Sequence, residues 1–363
     1  MGNIEEYRKE INEIDEQMAS LFKRRMAVSK EVAGYKMEYG LPIKDEKREE
    51  QIYAKCAERV NDPDIEAYYV SFQKALIGLS CDYQTRLMEG LKVSYSGVEG
   101  AYAYMAAKKM FPDAELISCA NFEPAYCAVL EGKADFAVLP LENSYAGDVG
   151  AVMDLAFDGP LHINRLCSLE IEHSLIALPG ARIADIRTVV SHPQALMQCD
   201  EFIKAHGFET KEYVNTARAA QYVKELGDIS VAAIASRDTA ELFGLEILER
   251  KINTVGNNTS KFAAFSRVPV PYASLAGKKT GFIIVFSVKN EAGALAMTLN
   301  ILGAHGYNMR SLKSRPMKGS VFEYYFYIEA EGDIQNTNGE NTLRELSVMC
   351  EKLRLLGTFE EED

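Results

Sequence analysis

The chain predicts a multidomain protein: an all-α segment over residues 1–90, an α/β segment over 91–270 and a small α+β segment over 279–363. Three changes of pattern predict it. The first segment shows apolar residues at helical spacing only. From about Leu91, short apolar runs alternate with helical patterns. From about Gly281 the order becomes strand, helix, strand, strand, helix, strand.

The first helix is expected from Ile4 to Gly40. Ile4, Tyr7, Ile11, Ile14, Met18, Leu21, Val28 and Val32 form an apolar seam, and Arg25 fills the missing tooth. An unpaired buried guanidinium costs several kcal/mol, on the order of the penalty for any lone buried ion. Lys36 lies 11 residues on, about three turns, and so shares that face. Spacing leaves two readings open: a pocket for an anion, or a structural ion pair or snorkelling side chain. Gly40-Leu41-Pro42 ends the helix, and Asp45 is an N-cap for a second. Asn61-Asp62-Pro63 breaks the chain before a third helix from Asp64 to Leu87. A long helix with an uncovered apolar seam implies a homodimer.

In the α/β segment, the runs Leu91–Tyr95, Phe136–Leu141, Thr188–Val190, Val231–Ala235 and Phe262–Phe265 read as mostly parallel strands. Polar residues gather where they end: Ser96, Glu142-Asn143-Ser144, Ser191-His192 and Ser236. Ligands of open α/β sheets bind beyond those ends. Residues 269–279 read as a linker. In the last segment, strands are expected at Gly281–Val288, Tyr307–Arg315 and Val321–Ile328, with helices at Gly293–His305 and Asn341–Leu355. That order is ferredoxin-like.

Composition narrows the function. The 363 residues carry a net charge of -13, which argues against nucleic acid and anionic membranes as partners. Cys56, Cys81, Cys119, Cys127, Cys167, Cys199 and Cys350 form no CxxC, so reduced thiols in a cytoplasmic protein are expected. There is no apolar signal region or membrane-span-length run, and Glu6 stands where a myristoylation site needs Ser or Thr. Five scattered histidines show no metal-ligand spacing, and no cofactor is called for.

Residues 4–86 resemble the all-helical chorismate mutases, through Arg24-Arg25-Met26-Ala27-Val28, Pro42-Ile43-Lys44-Asp45 and the i, i+4 pair Ser80 and Gln84. The resemblance places Arg8, Arg25, Lys36, Asp45, Arg48, Glu49, Ser80 and Gln84 in a site for chorismate, with Arg8 crossing into a partner's site. The rearrangement to prephenate is pericyclic and needs no acid, base or nucleophile. The site must hold a compact conformer and stabilise charge on the ether oxygen. Arg8, Arg25 and Arg48 would clamp carboxylates. Lys36 and Gln84 would donate to the ether oxygen, and Glu49 would accept from the substrate hydroxyl.

Residues 92–268 resemble prephenate dehydratase, whose fold is two-lobed like a periplasmic binding protein. Pro140–Gly147 and Ser191-His192-Pro193-Gln194 carry the likeness, with Ala232–Ser236 and Phe243-Gly244-Leu245. The resemblance implies site residues Glu142, Asn143, Ser144, Ser191, His192, Thr259, Ser260, Lys261 and Phe262, and formation of phenylpyruvate from prephenate. The family's Thr-Arg-Phe reads Ser260-Lys261-Phe262 here, preceded by Asn257-Asn258-Thr259, and Ala101 and Ala103 stand where hydroxyls are usual. Ser260 takes the proton donor's place, with Glu142 and His192 as alternatives. Lys261 takes that of a carboxylate-binding Arg. These departures leave two other readings: a ligand-binding, catalytically degenerate dehydratase half, and a preference for arogenate.

Residues 279–363 resemble an ACT regulatory domain. Asn290, Gly293, Ala294 and Leu295 match its ligand turn, and Ser314, Arg315 and Pro316 match the second motif, with Lys313 in place of Glu. The resemblance implies L-phenylalanine as a feedback effector. The three likenesses occur in the order of the bifunctional enzymes of phenylalanine biosynthesis.

Overall fold

The computed structural model describes residues 3–254, 256, 258–270, 274–275, 277–317 and 323–360. Asn257, part of the expected linker and the start of the strand expected from Val321 lie outside them. The chain divides into two compact units, Met1–Leu91 and Lys92–Asp363.

The first unit is helical: α1 (Ile4–Tyr39), α2 (Glu46–Ala54), α3 (Cys56–Val60) and α4 (Glu66–Glu89). Asn3 and Glu6 form a capping box at the start of α1, and Gly40 ends it at φ 62. Asp45 caps α2 by accepting from the Arg48 amide at 3.0 Å. The seam of α1 was expected to be its buried face, and within the chain it is not. Ile11 is 56% and Leu21 65% exposed. Helix α4 instead packs over Ser29 and Ala33, which are buried. Small residues let two helix backbones approach, whereas the large apolar side chains of the seam need a further surface.

The second unit carries three sheets. The first lobe contains β1 (Lys92–Ser96), α5 (Tyr102–Met110), β2 (Glu115–Cys119), α6 (Phe122–Leu130), β3 (Phe136–Asn143), β4 (Gly147–Asp148), α7 (Gly150–Asp158) and β5 (His162–Glu170). The second contains β6 (Ser174–Ala177), β7 (Thr188–Ser191), α8 (Pro193–Gln198), α9 (Asp200–His206), β8 (Glu209–Glu212), α10 (Thr216–Leu226), β9 (Val231–Ala235), α11 (Arg237–Phe243) and β10 (Glu246–Glu249). Strand β11 (Thr259–Ser266) returns to the first lobe, giving the order β2-β1-β3-β11-β5, with β4 on β3; the second sheet runs β10-β6-β9-β7-β8. The expectation of mostly parallel strands holds only for β1 with β2 and β3, and for β7 with β8 and β9. Strand β11 is antiparallel to both neighbours because the chain re-enters the lobe from the far side.

The third sheet runs β13-β14-β12-β15. It is built from β12 (Thr280–Ser287), α12 (Ala294–Ala304), β13 (Met309–Pro316), β14 (Tyr324–Glu331), α13 (Thr337–Met349) and β15 (Lys352–Glu360). Helix α13 stops at Met349, so Leu353, expected within it, lies on β15. All of β12 is buried because both its faces are covered. Phe282, Ile284 and Phe286 meet Leu302 and Leu346 below the helices. Ile283 and Val285, with Tyr325, Tyr327, Leu356 and Phe359, join the first lobe's core of Leu139, Phe157, Ile163 and Phe265. The third sheet and the first lobe thus share one apolar core.

At the seam of that core a Cβ on Gly357 would lie 1.9 Å from the Ile163 carbonyl oxygen. Gly357→Ala is therefore expected to destabilise by about 1–3 kcal/mol, as overpacking does. Gly303→Ala, whose Cβ meets nothing within 4 Å in an exposed helix, should stabilise by about 0.5–1 kcal/mol. Urea midpoints of the two variants check both signs.

Candidate active sites

In the helical unit, α1, α4 and the turn before α2 bring several candidates together. The Lys36 ammonium donates to Gln84 Oε1 at 3.1 Å and to the Ile43 carbonyl at 2.5 Å. With its oxygen engaged, Gln84 keeps its Nε2 hydrogens for an acceptor beside Lys36. Arg25 is half-buried and donates to the Leu76 carbonyl at 3.2 Å. Ser80 is buried and donates to the same carbonyl at 3.0 Å. Tyr53 donates to the Glu49 carboxylate at 3.3 Å. Asp45 serves as a helix cap, and Arg48 is exposed one turn into α2. Arg8 does not join them: it is exposed, 17 residues before Arg25 on one helix, a separation of about 26 Å.

In the second unit the two lobes face each other across a cleft of about 640 Å³. The first lobe contributes Ala101, Tyr102 and Ala103, Glu142, Asn143, the start of α7, Ser260 and Phe262; the second contributes His173, His192, Gln198, Asn215 and Thr216. Asn143 and Ser260 are register partners on β3 and β11. Asn143 Oδ1 accepts from the Tyr145 and Ala146 amides at 3.0 and 2.8 Å. That fixes its amide so that Nδ2 donates to Ser260 Oγ at 2.9 Å and to Asn258 Oδ1 at 2.7 Å. Ser260 Oγ is therefore an acceptor from Asn143, and its own proton is available to the cleft.

The alternative donors fare differently. His192 caps α8 by accepting from the Gln194 amide at its Nδ1, 3.2 Å away. Burial lowers its pKa although Glu212 opposes this, so it stands neutral with the hydrogen on Nε2. It can hydrogen-bond a ligand but holds no labile proton at neutral pH. Glu142 is excluded more firmly. Burial would raise its carboxyl, but hydrogen bonds and charge from Lys313 and Lys261 outweigh that and lower it. Glu142 is thus a committed carboxylate.

Lys261 corrects a further expectation. Strand alternation puts Ser260 and Phe262 at the cleft and Lys261 behind it. There its ammonium contacts Glu142 at 3.1 Å and Glu329 of β14 at 3.0 Å. Lys313 of β13 meets the other Glu142 oxygen, and Asp148 of β4 at 2.6 Å. Lys261 therefore binds no carboxylate of a ligand in the cleft. His173 and His192 are the titratable bases among the described residues that line it. Gly150 and Ala151 in the first turn of α7, and Asn215 and Thr216 at the start of α10, also line the cleft, and helix starts favour anions. Ser191 is also placed elsewhere: it is buried, donating to the Ile234 carbonyl at 2.6 Å. Ser144 and Thr259 tie the strand ends together, the Thr259 amide donating to Ser144 Oγ at 2.9 Å.

Sequence reasoning passed over His173 and gave no site role to Gln198, which meets it at 2.8 Å in the cleft wall, or to Asn258, which it named only within a motif string. It also passed over Glu329, whose signal was present: an acidic residue in step with Tyr325 and Tyr327 on the inward face of a strand.

In the third sheet, Asn290 and Leu295 line a hollow of about 440 Å³ with Tyr324 and Phe326. Gly293, at φ 85, turns the chain into α12, of which Ala294 is the first residue. The second motif does not reach that hollow. Arg315 points to the first lobe and binds Asp154 at 3.1 Å, while Ser314 and Pro316 are exposed on edge strand β13. No described helix is long and apolar enough to cross a membrane.

Residues 93–269 match the family described as prephenate dehydratase, and residues 7–85 match chorismate mutase type II. An arogenate dehydratase/prephenate dehydratase of Arabidopsis thaliana is 35% identical over 74% of this chain and 72% of its own length. A bifunctional chorismate mutase/prephenate dehydratase of Enterobacter agglomerans is 29% identical over 98% of this chain and 95% of its own. Among solved structures, the prephenate dehydratase of Arthrobacter aurescens in complex with L-Phe shares 27% identity at a TM-score of 0.68, covering 75% of this chain and 90% of that one. A protein described as a quorum quenching acylase shares 33% identity at the same TM-score of 0.68, covering 75% and 98%.

The charges behind the cleft set a pH window. Glu142, held low, stabilises the fold above the ordinary carboxylate range, and that stability is lost as pH falls through its lowered value. Burial would lower Lys261, but Glu329 and Glu142 raise it, so its contribution is lost only as pH rises through that raised value. Urea stability of wild type is expected to drop more between about pH 7 and pH 3 than that of Glu142→Gln. Equal drops would show that the carboxylate contributes nothing to acid sensitivity.

Proposed function

We propose that this chain, which belongs to the prephenate dehydratase family and carries a chorismate mutase domain ahead of it, catalyses two consecutive steps. It rearranges chorismate to prephenate in the helical unit and converts prephenate to phenylpyruvate in the cleft. The observation that carries the second step is the oriented pair Asn143–Ser260, facing the cleft from adjacent strands.

For the mutase step, Arg25 and Arg48 clamp substrate carboxylates. Lys36 and Gln84 Nε2 donate to the ether oxygen as its bond breaks. Glu49 accepts from the substrate hydroxyl. Arg8, far along α1, serves the site of a second copy, and the exposed seam of α1 is the surface on which two copies meet. The homodimer thereby completes both mutase sites.

For the dehydratase step, the ring carboxylate leaves as carbon dioxide. Its electron pair enters the ring, and the ring hydroxyl departs as water on taking a proton. A hydroxyl is a weak acid, but aromatisation drives the reaction, and the Asn143 Nδ2–H stabilises charge gained by Ser260 Oγ. Helix starts and the His192 Nε2–H hold the substrate anion. Residues 279–363 form the ACT regulatory module. The hollow at Asn290 and Leu295 suits an apolar amino acid, and L-phenylalanine bound there is the feedback effector. A cytoplasmic, metal-free enzyme fits the reduced thiols and the chemistry.

Phenylpyruvate formation from prephenate, with and without L-phenylalanine and with arogenate as competing substrate, tests the reading directly. Ser260→Ala should lower kcat by at least about tenfold, or roughly 1.4 kcal/mol, and leave chorismate consumption intact. An unchanged rate would remove Ser260 as donor. Arg8→Ala and Arg25→Ala should each abolish the mutase. Mixing and refolding the two chains should restore about a quarter of wild-type activity, because half the dimers are mixed and each has one intact site. No recovery would place both arginines in one chain's site.

A further inference from the structure

Two of the chain's departures from the family motifs, Lys261 and Lys313, lie in a single string of charges. It runs Glu329, Lys261, Glu142, Lys313, Asp148, alternating in sign and crossing from β14 through β11, β3 and β13 to β4. Glu329 is 5% exposed, and the Lys313 ammonium also sits over the Tyr327 ring at 5.9 Å. Ion pairs shielded in this way are geometrically committed, because breaking one strands a buried charge.

The string grips one particular place. Glu142 pairs in register with Lys261 on β11 and with Asp148 on β4, and the register shifts immediately after Lys261. One residue along each strand, Asn143 and Ser260 face the cleft. The third sheet holds the rear of the strand pair whose front carries the reacting groups. Arg315 extends the same grip to α7, whose first turn lines the cleft: its guanidinium binds Asp154 and occupies the space a Cβ on Gly150 would need.

We propose that Lys313 is a positioning residue of the dehydratase: by fixing Glu142 and Asp148 it sets the distance between Asn143 and Ser260 and the shape of the cleft floor. The C-terminal module is then part of the dehydratase machinery even with no effector bound. Lys313 touches no substrate and acts through Glu142. The proposal rests on Asn143 and Ser260 being the reacting pair, as argued above.

The test is steady-state dehydration of prephenate by the full chain carrying Lys313→Met, Lys313→Arg or Glu329→Gln, with Ser260→Ala alongside and the mutase assayed in every sample. Lys313→Met should lower kcat at least about tenfold, with KM within about twofold. Lys313→Arg, which keeps the charge, should recover most of the loss. Glu329→Gln, which loosens the far end of the string, should lower kcat by about threefold or more. Mutase turnover should not change. A kcat within twofold of wild type for Lys313→Met, with only a lower unfolding temperature, would overturn the proposal and leave Lys313 a tie between sheets. If Lys313→Met fails to fold, Glu329→Gln decides: an unchanged kcat overturns the proposal. If Ser260→Ala keeps full activity, the assignment of the reacting pair fails, a result distinct from any outcome at Lys313.

Discussion

A β-strand presents successive side chains to opposite faces, and the working part of the second unit depends on that constraint at one strand pair. On β3 and β11, Asn143 and Ser260 look into the cleft and Lys261 looks back toward the third sheet, while Glu142 lines the cleft floor and ties its carboxylate to Lys261 and Lys313. Chemistry and support are thus one residue apart. A single-residue slip of β11 would bring Lys261 into the cleft and turn the Ser260 hydroxyl away from it. The ion pairs to Glu329, Lys313 and Asp148 specify the register as much as they add stability.

The sequence made the gross architecture legible because period is a local property. Helices α1, α2 and α4 lie close to where capping and breaking residues placed them, and β9 falls on Val231–Ala235 as its apolar run required. Strand β8, Glu209-Thr210-Lys211-Glu212, left no such trace: every residue is exposed, so nothing apolar alternates. The antiparallel return of β11 was equally hidden, since it depends on which lobe the chain has just left.

At the sites, residue identity was more legible than residue direction. Glu142, Ser260 and Lys261 all appear where the motifs put their neighbours, yet motif matching alone suggested that each faces a ligand. Strand parity would have sent Lys261 to the rear, given only that Ser260 and Phe262 face the cleft. Its partner Glu329 was harder to foresee, because it lies 68 residues further along the chain. Arg315 misled in the same way: the motif located the strand, and the Asp154 carboxylate decided the side chain.

The core shared by the first lobe and the third sheet also constrains how the molecule is made. Leu139, Phe157 and Ile163 are synthesised before the second lobe, but Leu356 and Phe359, which cover them, follow it on β15. The first 91 residues form a separate unit whose internal contacts need nothing downstream. During synthesis the helical unit can fold while the ribosome is still producing the rest, whereas the first lobe keeps an open apolar face until β15 has emerged. A chain that stopped before β15 would expose the flank of Ile163 and Phe265 to water and to other chains.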